Sequence, residues 1–398
     1  MNGNLKRVAV YASLGADLTH YEVDVDAATL TRRSTVRLPA SVQYCWPHVS
    51  KKYFYATSSD GGPAASGGAS GSQHHLSAFR IDPESGALEP HGTPVRLQHR
   101  PIHMTLDITS RHALVAYSDP SGLSIHRINP DGTLGDEVQQ TLRIDTGTYP
   151  HQIRVTPAND MVILVTRGHH ITPGKAKAPG ALKVFQYRDG VLSDEVSIAP
   201  DGGHAFGPRH LDFHPSKPWI YMSLEAQNKL CMFSIDGNKL SATPHFCKDT
   251  LVDPVNVGSR QLTSTVHVHP NGRYVYTAER GDNEVEVDGQ RVFSGGENTL
   301  LAYSIDQSSG EPALIDRIYT RGLHPRTFAI DPSGRLLVAA NKSTVPVKDA
   351  SGVHTVSACM DLFRIGADGK LDFVRKYDID ASKVPMFWMG MIGLHKDC

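Results

Sequence analysis

The stretch "HPRTFAIDPSGRLLVAANKS", residues 324–343, sets two short apolar runs on either side of an Asp-Pro-Ser-Gly turn. Such turn residues preset the backbone to reverse, so the two runs read as an antiparallel hairpin. The same pattern recurs without gaps in "YPHQIRVTPANDMVILVTRG" (149–168), "GPRHLDFHPSKPWIYMSLEA" (207–226) and "LTSTVHVHPNGRYVYTAERG" (262–281). Weaker copies stand at "SVQYCWPHVSKKYFYATSS" (41–59) and "PIHMTLDITSRHALVAYSD" (101–119). Their turns fall between 49 and 62 positions apart.

Each copy is followed by a second hairpin with a short turn ending in leucine: "LSAFRIDPESGAL", "LSIHRINPDGTL", "LKVFQYRDGVL", "LCMFSIDGNKL", "LLAYSIDQSSGEPAL" and "MDLFRIGADGKL". Four short strands per unit at this period predict a β-propeller. A seventh second half, "LTHYEVDVDAATL", opens the chain without a complete first half, and "VPMFWMGMIGL" (384–394) at the far end has the pattern of the missing strand. The expectation is one all-β domain over residues 1–398, a seven-bladed propeller with four antiparallel strands per blade. Its C-terminal strand would complete the N-terminal blade. An open solenoid of β-units is the structural alternative, and the split first repeat favours closure.

Composition narrows the functional classes. Hydrophobic residues make up 39% of the 398, and the formal net charge is −1, so nothing in the charge balance invites nucleic acid or an anionic membrane. No 18-residue apolar run predicts a membrane span. The start "MNGNLKRVAVYASLG" lacks the pattern of a secretory leader. The five cysteines, Cys45, Cys231, Cys247, Cys359 and Cys398, are scattered and odd in number, which argues against a disulfide framework and a thiolate zinc site. A reduced, cytoplasmic protein is the expectation.

Hairpin geometry locates candidate site residues. The start of a first strand and the end of the second lie at the same end of a blade, so Arg209 and Glu225, which flank one hairpin, can meet there. The equivalent strand-opening positions of other blades supply His151, Ser264, His324 and Arg326. Positions after the second strand supply Arg167, Arg280, Asn341 and Lys342. Long loops follow the second strand in blades two, four, six and seven, and would rise from the same face. His48 lies at a turn remote from it.

With these residues placed, the chain resembles the lactonase family of seven-bladed propellers, which includes propeller-type 6-phosphogluconolactonase and 3-carboxy-cis,cis-muconate lactonizing enzyme. "GPRHLDFHP" with Glu225, "VHVHPNGRYVYTAERG", "HPRTFAIDPSGRLLVAAN" and "VPMFWMGMIGL" carry the resemblance, which runs nearly the whole length. It implies catalytic roles for His151, Arg209, Glu225 and Arg280. His324, Arg326, Asn341 and Arg167 are candidate substrate-binding residues. Two departures stand out: Leu224 replaces the asparagine many members have before the glutamate, and the loops are longer than in compact bacterial members.

Hydrolysis of a lactone needs a water made nucleophilic and donors for the oxyanion. His151 suits the first task as a base near neutral pH, and the planar forks of Arg209 and Arg280 suit the second. Glu225 would orient these groups, or act as an acid if its pKa were raised. Each has a plainer reading: Arg209 and Glu225 as a salt bridge tying strand ends, His151 as a channel-lining residue, Arg167 and Lys342 as solvated loop charges. Of the 21 histidines, His267 and His269 share a strand face, but no ligand set converges by register, so neither metal nor cofactor is expected. The expected partner is a small sugar-acid lactone. A muconate-type cycloisomerase and a non-catalytic binding propeller are the rivals.

Overall fold

The structure, a computed structural model, describes residues 7–62, 68–169, 177–257, 260–281, 283–349 and 352–394. Among these the regular secondary structure is almost entirely β-strand. Six antiparallel sheets follow one another, opening with the strands Ser41–Pro47, Pro101–Leu106, Pro150–Val155, Pro208–Phe213, Gln261–Val268 and Pro325–Ile330. A seventh sheet combines the first three strands of the chain with Met389–Leu394, which pairs antiparallel with Arg7–Leu14. Blades are numbered below from this split sheet as blade one.

Packing between sheets follows from the near-continuous apolar strands in each. Six buried clusters lie between sheets that neighbour one another in the chain, and a seventh joins its two ends. The cluster containing Val8, Val10 and Met389 also holds Leu336, Val338 and Leu362, so the last sheet packs on the first. Full burial of such side chains stabilises by about 1.5–3 kcal/mol each.

A second device repeats from blade to blade. The hydroxyls of Tyr11, Tyr55, Tyr221 and Tyr276 donate to the carbonyls of Gly86, Gly132, Gly310 and Gly369, each in the second hairpin of the next blade. Gly132 has φ of +83° and Gly369 +82°, and a Cβ there would meet Tyr53 at 2.5 Å or Tyr274 at 2.3 Å. The short hairpin turns therefore need glycine both for backbone and for space. At the first-hairpin turns, His214 and His269 accept backbone N–H groups through Nδ1 and donate through Nε2 to Gly272 and Gly334. Asp331 fills the same place as an acceptor. Histidines of these turns are structural.

Three features depart from expectation. The loops of blades six and seven meet in an eighth sheet, in which Gln290–Phe293 pairs parallel with Val345–Asp349. In blades two and five a further short strand adds to the outer edge. Cys231 and Cys247 are joined by a disulfide, because the added strand Phe246–Asp249 folds back on Lys229–Asp236 with these two residues as register partners. The cysteine argument for a reducing compartment falls with that bond. No helix among the described residues is long and apolar enough to cross a membrane.

Candidate active site

In six of the seven blades the first strand carries one extra residue near its start. In five blades the pairing skips one residue, at Gln43, Ile102, His151, Arg209 and Arg326, and in blade six it skips at Ser264–Thr265. A bulge leaves that residue out of the ladder and re-aims its side chain. Six blades thus present one unpaired position at the same level.

The second strands complete the ring. Thr166, Leu224, Glu279 and Asn341 are equivalent register positions, and the residues that follow them are Arg167, Glu225, Arg280 and Lys342. Successive strand residues point to opposite faces. The following set faces the mouth, whereas Asn341 turns away: it is fully buried, and its amide donates to Asp361 at 2.8 Å and to the Cys359 sulfur at 3.2 Å. Glu279, in the same register, accepts from Thr250 at 2.5 Å and Thr263 at 2.6 Å, and burial raises its carboxyl to about 7.

Glu225 is the centre of the mouth. Arg167 Nη1 donates to its Oε2 at 2.8 Å, Arg280 Nη2 donates to Oε1, and Arg209 Nε lies 3.2 Å from Oε1. Three blades meet on one carboxylate. Arg209 is 1% exposed, and Glu225 and Arg280 are each 3%. Arg167, for which a solvated loop position was one expectation, is instead turned inward and stacks on the Tyr149 ring at 4.3 Å. Burial alone would raise the Glu225 carboxyl, but Arg167, Arg280 and Arg209 outweigh it and hold it well below its ordinary range. A general-acid role through a raised pKa is therefore excluded by its own partners.

His151 stands beside this cluster, 5.2 Å between ring centroids from His210, and its Nδ1 has no hydrogen-bond partner among the described residues. Burial, then the charge of Arg209, pushes its pKa well below the ordinary value, with Glu225 opposing. It is a neutral imidazole at pH 7. Arg209 Nη1 is likewise buried without an acceptor. An unpaired buried donor such as Arg209 Nη1 is costly. His324 takes a positive φ of 61°, held by its N–H donating to Asn298 Oδ1 at 2.7 Å, and this brings its Nε2 to 3.4 Å from Arg280 Nη1. Arg326 lies 3.9 Å over the Phe387 ring and donates through Nε to the Phe387 carbonyl at 3.1 Å.

The sequence reading missed Arg100, His103 and His210. Arg100 immediately precedes a first strand, and a basic residue before "PIHMTL" is a weak signal that alternation does not register. His103 and His210 sit one residue past the bulge, 5.8 Å apart between ring centroids. His267 and His269 diverge: His267 lies 3.7 Å from Asp212, and His269 holds the turn at Gly334. Among the described residues, no three His, Cys, Asp or Glu side chains form a metal-ligand group.

Comparison with known proteins agrees with this architecture. The model of a family described as lactonase, seven-bladed β-propeller, matches residues 8–351. A 6-phosphogluconolactonase of Bacillus subtilis is 26% identical over 278 residues, covering 68% of this chain and 72% of that protein. One from Serratia proteamaculans is 23% identical over 389 residues, covering 98% and 99%. The structure of a periplasmic gluconolactonase of Pseudomonas aeruginosa superposes with a TM-score of 0.74 at 17% identity, covering 98% of this chain and all of that one.

Proposed function

The chain belongs to the lactonase family of seven-bladed β-propellers, and from that premise we propose that it hydrolyses a small sugar-acid lactone of the 6-phosphogluconolactone kind. The convergence of Arg167, Arg209 and Arg280 on Glu225, next to a neutral His151, is the observation that carries this reading. The curated relatives named as 6-phosphogluconolactonases support the substrate class.

In the proposed mechanism His151 accepts a proton from water as that water attacks the lactone carbonyl. Charge moves onto the carbonyl oxygen, where the buried, open Nη1 of Arg209 donates to it. Collapse of the tetrahedral intermediate breaks the ring C–O bond, and the proton held by His151 passes to the departing alkoxide. Glu225 transfers no proton. It fixes three guanidinium planes and cancels part of their charge. Arg280, with His324 against it, and Arg167 orient the substrate's oxygens.

The same reading includes one domain over residues 1–398, with four strands per blade and the ring closed by the C-terminal strand; the pairing of Met389–Leu394 with Arg7–Leu14 supports it. It also keeps a cytoplasmic location. Finding the Cys231–Cys247 bond in protein isolated from its native host under thiol-trapping conditions would count against that location.

Acid release from 6-phosphogluconolactone, followed with a pH indicator against the spontaneous rate, tests the activity, with 3-carboxymuconate as the parallel substrate. Turnover of the lactone is expected, and loss of it in His151→Ala. Ring closure of the muconate without lactone hydrolysis would make the protein a cycloisomerase, and no turnover of either would leave a binding propeller.

A further inference from the structure

The bulge that builds the mouth also fixes a second level of side chains. Three residues beyond it, blades two to seven carry Trp46, Thr105, Arg154, Asp212, His267 and Ala329. All of these but Asp212 line a cavity of about 530 Å³, as do Val49, Ile108 and Pro270 from the first-hairpin turns. Those turns lie at the far end of the first strands from Glu225, so the cavity is the opposite end of the channel. Ligand pockets span about 300–1,000 Å³, and this one falls among them. A layer one residue past the bulge stands between the two ends. There the Tyr44 and His103 ring centroids are 3.9 Å apart, those of His103 and His210 are 5.8 Å apart, and His210 Nδ1 lies 3.0 Å from Thr265 Oγ1.

The walls of this end are aromatic, with Tyr44, Trp46, Phe328 and Trp388 all contributing. Val49 and Ile108 remain 58% and 45% exposed, which leaves apolar surface at the turns around it. Most of its charges are already matched. Arg154 lies between the Trp46 and Phe213 rings and donates to Asp212 Oδ1 and the Leu211 carbonyl, each at 3.2 Å. Asp212 also accepts the Val268 N–H at 3.0 Å. Asp107 is held by its own turn, accepting from Thr109 Oγ1 and from the N–H groups of Arg111 and His112. Lys51 is different. It lines the cavity, and among the described residues its ammonium has neither a hydrogen bond nor an ion pair. Burial lowers its pKa, the mark of a cation losing water without gaining a counter-charge.

We propose that this end of the channel is a second ligand site, which binds a small flat aromatic anion with its rings against Trp46 and Phe328 and its acidic group on Lys51. One unmatched cation calls for one negative charge, and a ring-lined wall favours an apolar, planar body over a polyhydroxylated one, whose hydroxyls would lie unpaired against it. The site is separate from the Glu225 cluster and does not rest on the hydrolytic reading.

The test uses 1-anilinonaphthalene-8-sulfonate, with the uncharged N-phenyl-1-naphthylamine as its neutral counterpart, and reads binding by energy transfer from tryptophan. The native chain is expected to show saturable binding of both. Lys51→Gln should weaken binding of the sulfonate by about 10-fold or more, as for loss of one charged hydrogen bond, and leave the neutral probe within about twofold. Ala329→Trp fills the cavity and should remove both, whereas Arg209→Lys, at the other end of the channel, should change neither. Absence of saturable binding, equal sulfonate binding by the native chain and Lys51→Gln, binding that survives in Ala329→Trp, or binding lost in Arg209→Lys overturns the site. Urea unfolding shows whether each variant is folded; if Ala329→Trp is not, the comparison of the two probes on Lys51→Gln decides alone.

Discussion

Replacing Glu225 by glutamine isolates what the mouth's one central carboxylate contributes, because the side chain keeps its shape and loses only its charge. In the native protein that charge meets Arg167 Nη1 at 2.8 Å, Arg209 Nε at 3.2 Å and the terminal nitrogen of Arg280. At an effective dielectric near 20, one such pair with charges about 4 Å apart is worth about 4 kcal/mol before desolvation. Desolvating the carboxylate takes back several kcal/mol, while repulsion among the arginines goes unrelieved in the variant. Removing one partner of a buried ionic group costs about 3–5 kcal/mol. The side chain of Arg167 is 21% exposed, so water replaces part of its pair and the lower half of that range is expected.

Urea unfolding at pH 7.5 measures this. With a slope of about 3 kcal/mol per molar, the midpoint of Glu225→Gln should fall by about 1 M. The pH dependence gives an independent check. The folded-state pKa of Glu225 is depressed, so its stabilisation is complete above the unfolded value of about 4.3 and is lost as pH falls through the lower folded value. The gap between native and variant should hold from pH 8 to about 5 and close only in stronger acid. A loss below about 1 kcal/mol, or a gap that closes near neutrality, would refute the three-arginine account.

Three further outcomes are expected. Arg209→Lys keeps the charge but loses the fork that leaves Nη1 open, so kcat/KM should drop by about 10²–10³-fold, the scale of losing an oxyanion donor, while urea unfolding changes far less than in Glu225→Gln. Burial and Arg209 keep His151 neutral, so the acid limb of kcat/KM should lie below the ordinary histidine value of about 6.5; an acid limb at or above that value removes His151 as the base. Cys247→Ser opens a bond that closes a sequence separation of 16, and should cost about 3 kcal/mol in urea unfolding, with dithiothreitol having the same effect on the native chain and none on the variant.

The strands and turns were legible because alternation and turn chemistry are local. "HPRTFAIDPSG" states its hairpin within a dozen residues, and hairpin geometry is enough to bring Arg209 and Glu225 to one end. What lay outside local reading depended on pairings between distant segments. The bulge is invisible in the alignment of repeats because the copies share the extra residue, so no gap marks it. Without it, Asn341 and Lys342 were equally eligible, and only the observed register separates the residue facing Asp361 from the one facing the mouth. The depressed carboxyl of Glu225 needs arginines from blades four, five and six at once. The disulfide needed Phe246–Asp249 to fold back on its own sheet, which no spacing of cysteines states. The eighth sheet requires loops from two blades to meet.

The repeated bulge also explains how a nearly symmetric frame holds an asymmetric site. At the equivalent position six blades carry Gln43, Ile102, His151, Arg209, Ser264 and Arg326, each released from the ladder by the same one-residue offset. The backbone arrangement is common to all six, so side-chain identity alone decides what each blade brings to the mouth. The ends of the second strands add Ser59, Ser118, Arg167, Glu225, Arg280 and Lys342 in the same order. Only one of these is acidic, and it belongs to the hairpin that carries Arg209. The carboxylate is therefore positioned by its own blade and loaded by its two neighbours.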